Sequence, residues 1–185
     1  MSQLYSINAG AGDCWGDAHG NFVTNGTFLW VGGTPDIDGD PRTWIPFTVP
    51  LPRITIVSAT LKWRATQTRS EGVSVSICCE AADNPSTPGS NADIFGRVLT
   101  TARLNTSLAA YTTGDEYSYN VAAPVQEVLS RAGWVAGNTL AILVKDNGTS
   151  SDNRRQVASV ENTSYAQAIL EIVIPKFIPR NGGVI

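Results

Sequence analysis

The chain has 185 residues, 42% of them hydrophobic and 16% charged, with a formal net charge of −3 and a pI of about 5.1. A chain of that size and composition buries a core without help from disulfides or metals, and its weak negative charge offers no electrostatic footprint for nucleic acid or an anionic membrane. No apolar window reaches the length of a membrane-spanning helix.

The opening MSQLYSINAGAG has no basic region followed by an apolar stretch, so no signal peptide is expected and the product starts in the cytoplasm. Four N-x-[ST] sequons, at Asn25, Asn105, Asn147 and Asn162, are then incidental. GDCWGDAHGN (12–21) reads as a glycine-rich loop holding Cys14, Trp15 and the single histidine, His19. No G-x-S-x-G nucleophile elbow accompanies that histidine, and no enzymatic activity is expected. Cys78 and Cys79 are adjacent, which in a strand points them to opposite faces, and Cys14 is left over. The expectation is three buried, unreactive thiols with neither a disulfide framework nor a zinc site.

Phe28 to Gly33 is a short apolar run, followed by PDIDGDP. Asp36, Asp38 and Asp40 offer hard oxygens at alternate positions and form the one candidate calcium site. An EF-hand needs Glu at its twelfth position, which here is Phe47. No other cofactor is expected.

Period-two alternation dominates the rest. Thr43 to Val49 sets Ile45, Phe47 and Val49 against Trp44, Pro46 and Thr48. Ile54 to Thr66 is the longest run, with Ala59, Leu61, Trp63 and Ala65 in phase and a slip near Ser58 that suggests a bulge. Val73 to Glu80 alternates as well, and Val98–Ser107, Tyr117–Val121, Thr139–Lys145, Gln156–Glu161 and Ala168–Ile174 complete the strands. EAADNPSTPGSNAD and KDNGTSSDN between them are turn and loop chemistry.

One segment departs from this pattern. Pro124 suits a first helical turn. Val121, Val125, Val128 and Leu129 form an apolar stripe, with Gln126, Glu127, Ser130 and Arg131 facing out. Gly133 stops the helix and Gly137-Asn138 turns into the next strand. The fold expected is all-β: an antiparallel, jelly-roll-like β-sandwich with one short amphipathic helix capping the core. Residues 1–175 are expected to form a single domain, and 176–185, which follow Pro175 and contain Pro179, a C-terminal tail or arm.

RTWIPF (42–47), PRITIVSATLK (52–62), VQEVLSRAGW (125–134), NTLAILVK (138–145) and VASVE (157–161) occur in an order that resembles the DNRLRE-type, carbohydrate-binding-module-like β-sandwich family. The order is more similar still to stand-alone, head-decoration-like relatives among phage virion proteins. The resemblance covers about residues 5 to 175 and implies a binding or structural role. It also implies that Glu161 is a carboxylate able to pair with an arginine such as Arg42. The family's tryptophan-dense middle is here NTSLAAYTTGDEY, a departure that weakens a sugar platform at that place.

The first expectation for function is a virion structural protein, a capsid decoration (cement) protein on the major capsid protein or another virion protein, as a homotrimer. The alternative is a carbohydrate-binding module or tail component that recognises host-surface glycans. For either interface the candidate residues are Trp15, Trp30 and Trp44, whose flat rings give contact area at low entropy cost, and Phe177, Ile178 and Arg180 of the tail.

Overall fold

The computed structural model describes residues 2–33, 41–149 and 153–176. The asparates of PDIDGDP (Asp36, Asp38, Asp40) and the tail residues Phe177, Ile178 and Arg180 lie outside them. Along the chain run β1 (Ser2–Asn8), β2 (Cys14–Gly16), β3 (Phe22–Val23), β4 (Phe28–Val31), β5 (Arg42–Thr48), β6 (Ser58–Arg64), β7 (Val73–Cys79), α1 (Asn91–Gly96), β8 (Leu104–Leu108), β9 (Glu116–Asn120), α2 (Ala122–Leu129), β10 (Thr139–Asp146), β11 (Arg155–Ala158) and β12 (Ile169–Pro175).

One sheet has the order β1-β12-β6-β9, a second β3-β2-β5-β10-β7-β8, and β11 pairs with β4 in a separate ribbon. The pairings within these sheets are antiparallel. Setting aside β2, β3 and the β4–β11 ribbon leaves β1, β5, β6, β7, β8, β9, β10 and β12. The first, eighth, third and sixth of these lie side by side in one sheet; the second, seventh, fourth and fifth lie in the other. That is the strand order of a jelly roll.

The alternation read from the sequence places the core. Ala59, Leu61 and Trp63 of β6 and Leu170, Ile172 and Ile174 of β12 meet Ile45 and Phe47 of β5, Val75 and Ile77 of β7 and Leu140 and Ile142 of β10 between the sheets. Each fully buried aliphatic side chain contributes about 1.5–3 kcal/mol. The indole N–H of Trp63 donates to Tyr111 Oη at 2.7 Å, and Tyr111 and Tyr119 hydroxyls lie 2.8 Å apart, so the polar tips buried with these rings are satisfied.

The structure adds a second helix. α1 begins inside the run read as loop: Ser90 is its N-cap and accepts from the Asp93 N–H at 3.2 Å. It lies over the outer face of the second sheet, where Ile94 packs with Cys14, Trp44, Cys78, Ala141 and Leu143. With both faces covered, the middle of this sheet is apolar at successive positions, which explains the unbroken LAILV of β10.

α2 covers the sandwich core with Pro124, Val125, Val128 and Leu129. Its polar side is anchored to neighbours, unlike the solvated face expected. Gln126 accepts from Ile56 N–H at 2.8 Å and donates to Ile54 O at 3.1 Å. Glu127 accepts from the N–H groups of Thr101 and Ala102 at 2.9 and 2.7 Å, and Arg131 donates to Asp83 at 2.6 Å. This accounts for the slip near Ser58: β6 starts there, and the preceding Ile54 and Ile56 spend their backbone bonds on Gln126 instead of a ladder. The helix ends at Leu129, with Ser130 as its C-cap. Gly133 serves a different purpose, because a Cβ there would collide with the Asp83 carboxylate. Trp134 folds back over the helix end, buried, and donates to Leu51 O at 2.9 Å.

Three strands had no signal in the sequence. β1 is mostly polar and edge-exposed, and β2 and β3 are too short to show a period. Between Val98 and Ser107 the second half pairs as β8, while the first makes an isolated bridge, Leu99 opposite Glu80. The Thr100 hydroxyl takes the place of a ladder partner, accepting from Cys79 N–H at 3.0 Å.

Candidate functional site

β2 pairs with β5, Cys14 opposite Trp44 and Trp15 opposite Thr43. Alternation then sends Cys14 outward under α1 and turns Asp13 and Trp15 to the other side. Trp15 is half-buried and meets Trp30 of β4 edge to face, ring centroids 6.5 Å apart. Trp30 meets Phe28 in the same manner at 5.1 Å, and the Arg154 guanidinium lies 4.1 Å over its face. The Thr43 hydroxyl donates to the Trp30 carbonyl, fixing β4 to β5. β2, β4 and the residues around β11 thus form a half-exposed aromatic corner containing two of the three expected tryptophans.

The third is not there. Trp44 is buried at 1% exposure, with its indole N–H donating to Glu80 Oε2 at 2.9 Å. It does project opposite Ile45 and Phe47, but α1 covers that face, so it is not an outward ring. Glu80 also accepts from Arg97 Nη1 at 2.9 Å, and Arg97 reaches Asp93 at 2.8 Å.

A carboxyl pair, Asp13 buried and Glu161 half-buried, sits behind the corner. Asp13 is 2% exposed, and its Oδ2 accepts from Val160 N–H at 2.9 Å. That bond to Val160 brings the next residue, Glu161, beside Asp13 in the turn that follows β11. Asp13 Oδ1 and Glu161 Oε2 are both buried without a donor among the described residues. Burial, followed by the charge and hydrogen bond of Glu161, raises Asp13 to about 7, although the Val160 N–H works in the opposite direction. The resemblance paired Glu161 with Arg42. Arg42 instead donates to Phe95 O at 2.9 Å and lies 4.5 Å over the Phe95 ring. Nothing in the sequence marked Asp13 and Glu161 as neighbours.

Cys14 is fully buried, and burial, then the charge of Asp13, pushes its thiol up to about 12, so it stays protonated at neutral pH. His19 is exposed, and its backbone N–H donates to Asp17 Oδ1 at 2.9 Å. Asp17 is buried and also holds the Asn21 N–H and side-chain amide, at 3.1 and 2.8 Å. This loop is cross-linked by its own aspartate. All three cysteines are buried and free.

A separate shallow depression of ≈ 410 Å³ lies beside α2, lined by Arg53, Ile54, Thr55, Gln126, Leu129 and Ser130. Among the described residues, no three His, Cys, Asp or Glu side chains come together as a metal-binding group.

No family model and no curated protein matches the chain. Among solved structures it is similar to an arabinose-bound GH51 α-L-arabinofuranosidase, at 11% identity and a TM-score of 0.31. The match covers 95% of this chain and 27% of that one, and at so low a score it carries no argument about activity or ligand.

Proposed function

We propose that the chain is a virion structural protein, a capsid decoration (cement) protein that binds and stabilises the major capsid shell as a homotrimer. The order of motifs that resembles phage virion proteins supports this reading. The observation that carries it is a pair of exposed apolar residues on the two chain segments that flank Val173 of β12. Leu4, 57% exposed, lies opposite Val173, and Val57, 60% exposed, donates its N–H to the Val173 carbonyl at 2.7 Å. Clustered apolar side chains left in water on a rigid sheet are what a protein partner covers. The jelly roll itself selects no function.

The test is co-sedimentation of the purified protein with empty capsids, together with mass spectrometry of purified particles. Hundreds of copies per particle and saturable binding, lost in a Leu4→Asp/Val57→Asp variant, are the expected results. Absence from particles would overturn the reading.

The aromatic corner favours a second reading, a glycan-binding module, because Trp15, Phe28 and Trp30 stay half-exposed in the folded protein. A saccharide hit on a glycan array, abolished by Trp30→Ala, would place it first. Trp44→Ala is uninformative here, since that ring is buried.

A further inference from the structure

We propose that Asp13 and Glu161 share a single proton in an acid–carboxylate pair, and that this proton is a pH-dependent latch holding the aromatic corner together. The proposal stands independently of the functional reading above.

The geometry sets the problem. The Val160 N–H bond to Asp13 sets Glu161 next to it, and the two carboxyl groups present one buried oxygen each, Asp13 Oδ1 and Glu161 Oε2, to no donor among the described residues. Two unscreened negative charges in that position repel strongly, and a single positive charge between them removes the conflict. Among the described residues, no basic side chain forms an ion pair with either carboxyl. Among the described residues, Glu161 is the charged group that acts on Asp13. Cys14 points to the opposite face of β2, with Trp44 and Ile94. Asp93 of α1 and its C-cap Arg97 lie on that same far face, with Arg97 bound to both Asp93 and Glu80. Arg42 is engaged with Phe95, also of α1, and Asp17 with its own loop. Arg154 lies on the ring of Trp30, and Arg155 donates to the carbonyls of Ala109, Glu71 and Arg154. A hard divalent cation would need about six to eight oxygens, against the two carboxyls present here. A proton needs only the two oxygens that lack donors.

The position of the pair makes it a latch. Asp13 immediately precedes β2 and Trp15. Glu161 and Val160 follow β11, which is hydrogen-bonded to β4 and therefore to Trp30. The turn they occupy is pinned further, with Ser159 donating to Gly26 O at 2.6 Å and Asn162 to Thr27 O at 2.7 Å. The shared proton therefore joins the two chain segments that carry the aromatic rings.

The direction of the pH effect follows from linkage. Asp13 has its affinity for the proton raised in the closed form, from an ordinary 3.8 to about 7. The stabilisation is fully present below about pH 4 and is lost as pH rises to about 7, above which both forms are ionised. Across that window the closing equilibrium weakens about tenfold per pH unit.

The experiment is a carboxyl ¹³C NMR titration of the full chain from pH 3 to 9, with amide exchange of Val160 followed over the same range. The expected result is one carboxyl of the pair titrating near 7, and a Val160 protection factor that falls about tenfold per unit between pH 5 and 7 and then levels. In Glu161→Gln, whose amide can donate to Asp13, the Asp13 midpoint should drop by more than one unit. Both carboxyls titrating below pH 5 in the wild type would overturn the proposal. So would an Asp13 midpoint near 7 that survives Glu161→Gln, since burial alone would then hold the proton. A midpoint lowered by more than one unit on adding 1 mM calcium chloride would replace the proton with a metal ion and also overturn it.

Discussion

Glu80 shows how a single side chain can bind one face of a sheet to the helix that covers it. One carboxylate oxygen holds the Trp44 indole and the other holds Arg97, both at 2.9 Å, while Glu80 itself is only 5% exposed. Cutting it back strands a buried donor and a mostly buried guanidinium, the costly way to break an ion pair. Glu80→Ala is expected to lose about 3 kcal/mol, the lower end of the usual range because Arg97 keeps Asp93. Urea unfolding followed by tryptophan fluorescence would measure it, and a loss under about 1 kcal/mol would mean that the pair contributes little. At this scale the sequence was only partly legible. Parity identified Trp63 as core and Trp44 as its opposite, yet burial of Trp44 depended on a helix that parity does not report. The Asp13 contact with the Val160 turn spans 147 residues and follows no period, so nothing local could have revealed it.

Among the elements, α1 and α2 both close sheet surfaces, but they were not equally visible. α2 is eight residues long and has an apolar stripe opened by a proline-bearing first turn, which a 3.6-residue period detects. α1 is six residues long, buries only Ile94 and starts in a run of Pro, Gly, Ser and Asn that signals turns. Its importance comes from what lies beneath it. Ile94→Ala should cost about 2–5 kcal/mol. It should also open the outer cluster, so that Cys14 and Cys78 react with a thiol reagent under native conditions at least tenfold faster than in the wild type. Unchanged labelling would show that β2 and β5 protect these thiols without α1. β1, polar and at an edge, has no comparable sequence signal. Its register against β12 is fixed by the burial of Ile172 and Leu170, whose cross-strand partners are Tyr5 and Ile7.

For the whole molecule, the jelly roll was legible as a class from the number and spacing of alternating runs, while the order of strands was not. Neighbours in the sheets are far apart in the chain: β1 pairs with β12 and β5 with β10. Such pairing pays loop-closure entropy before contacts reward it, so folding is slow for the size of the chain. Stopped-flow refolding monitored by tryptophan fluorescence should be dominated by phases of milliseconds to seconds or slower. A dominant microsecond phase would contradict a rate limit set by long-range strand pairing.

The pairing of Ser2 with Pro175 has a consequence for engineering. The first and last strands run antiparallel and end side by side, about 5 Å apart, the usual spacing of neighbouring strands. A short linker could join residue 2 to residue 175 and new ends be cut at an exposed turn such as Gly137, giving a circular permutant with the same sheets. By the same geometry, the sandwich could be spliced as a cassette into a surface loop of another protein, which would need to part by little more than the width of one strand pair.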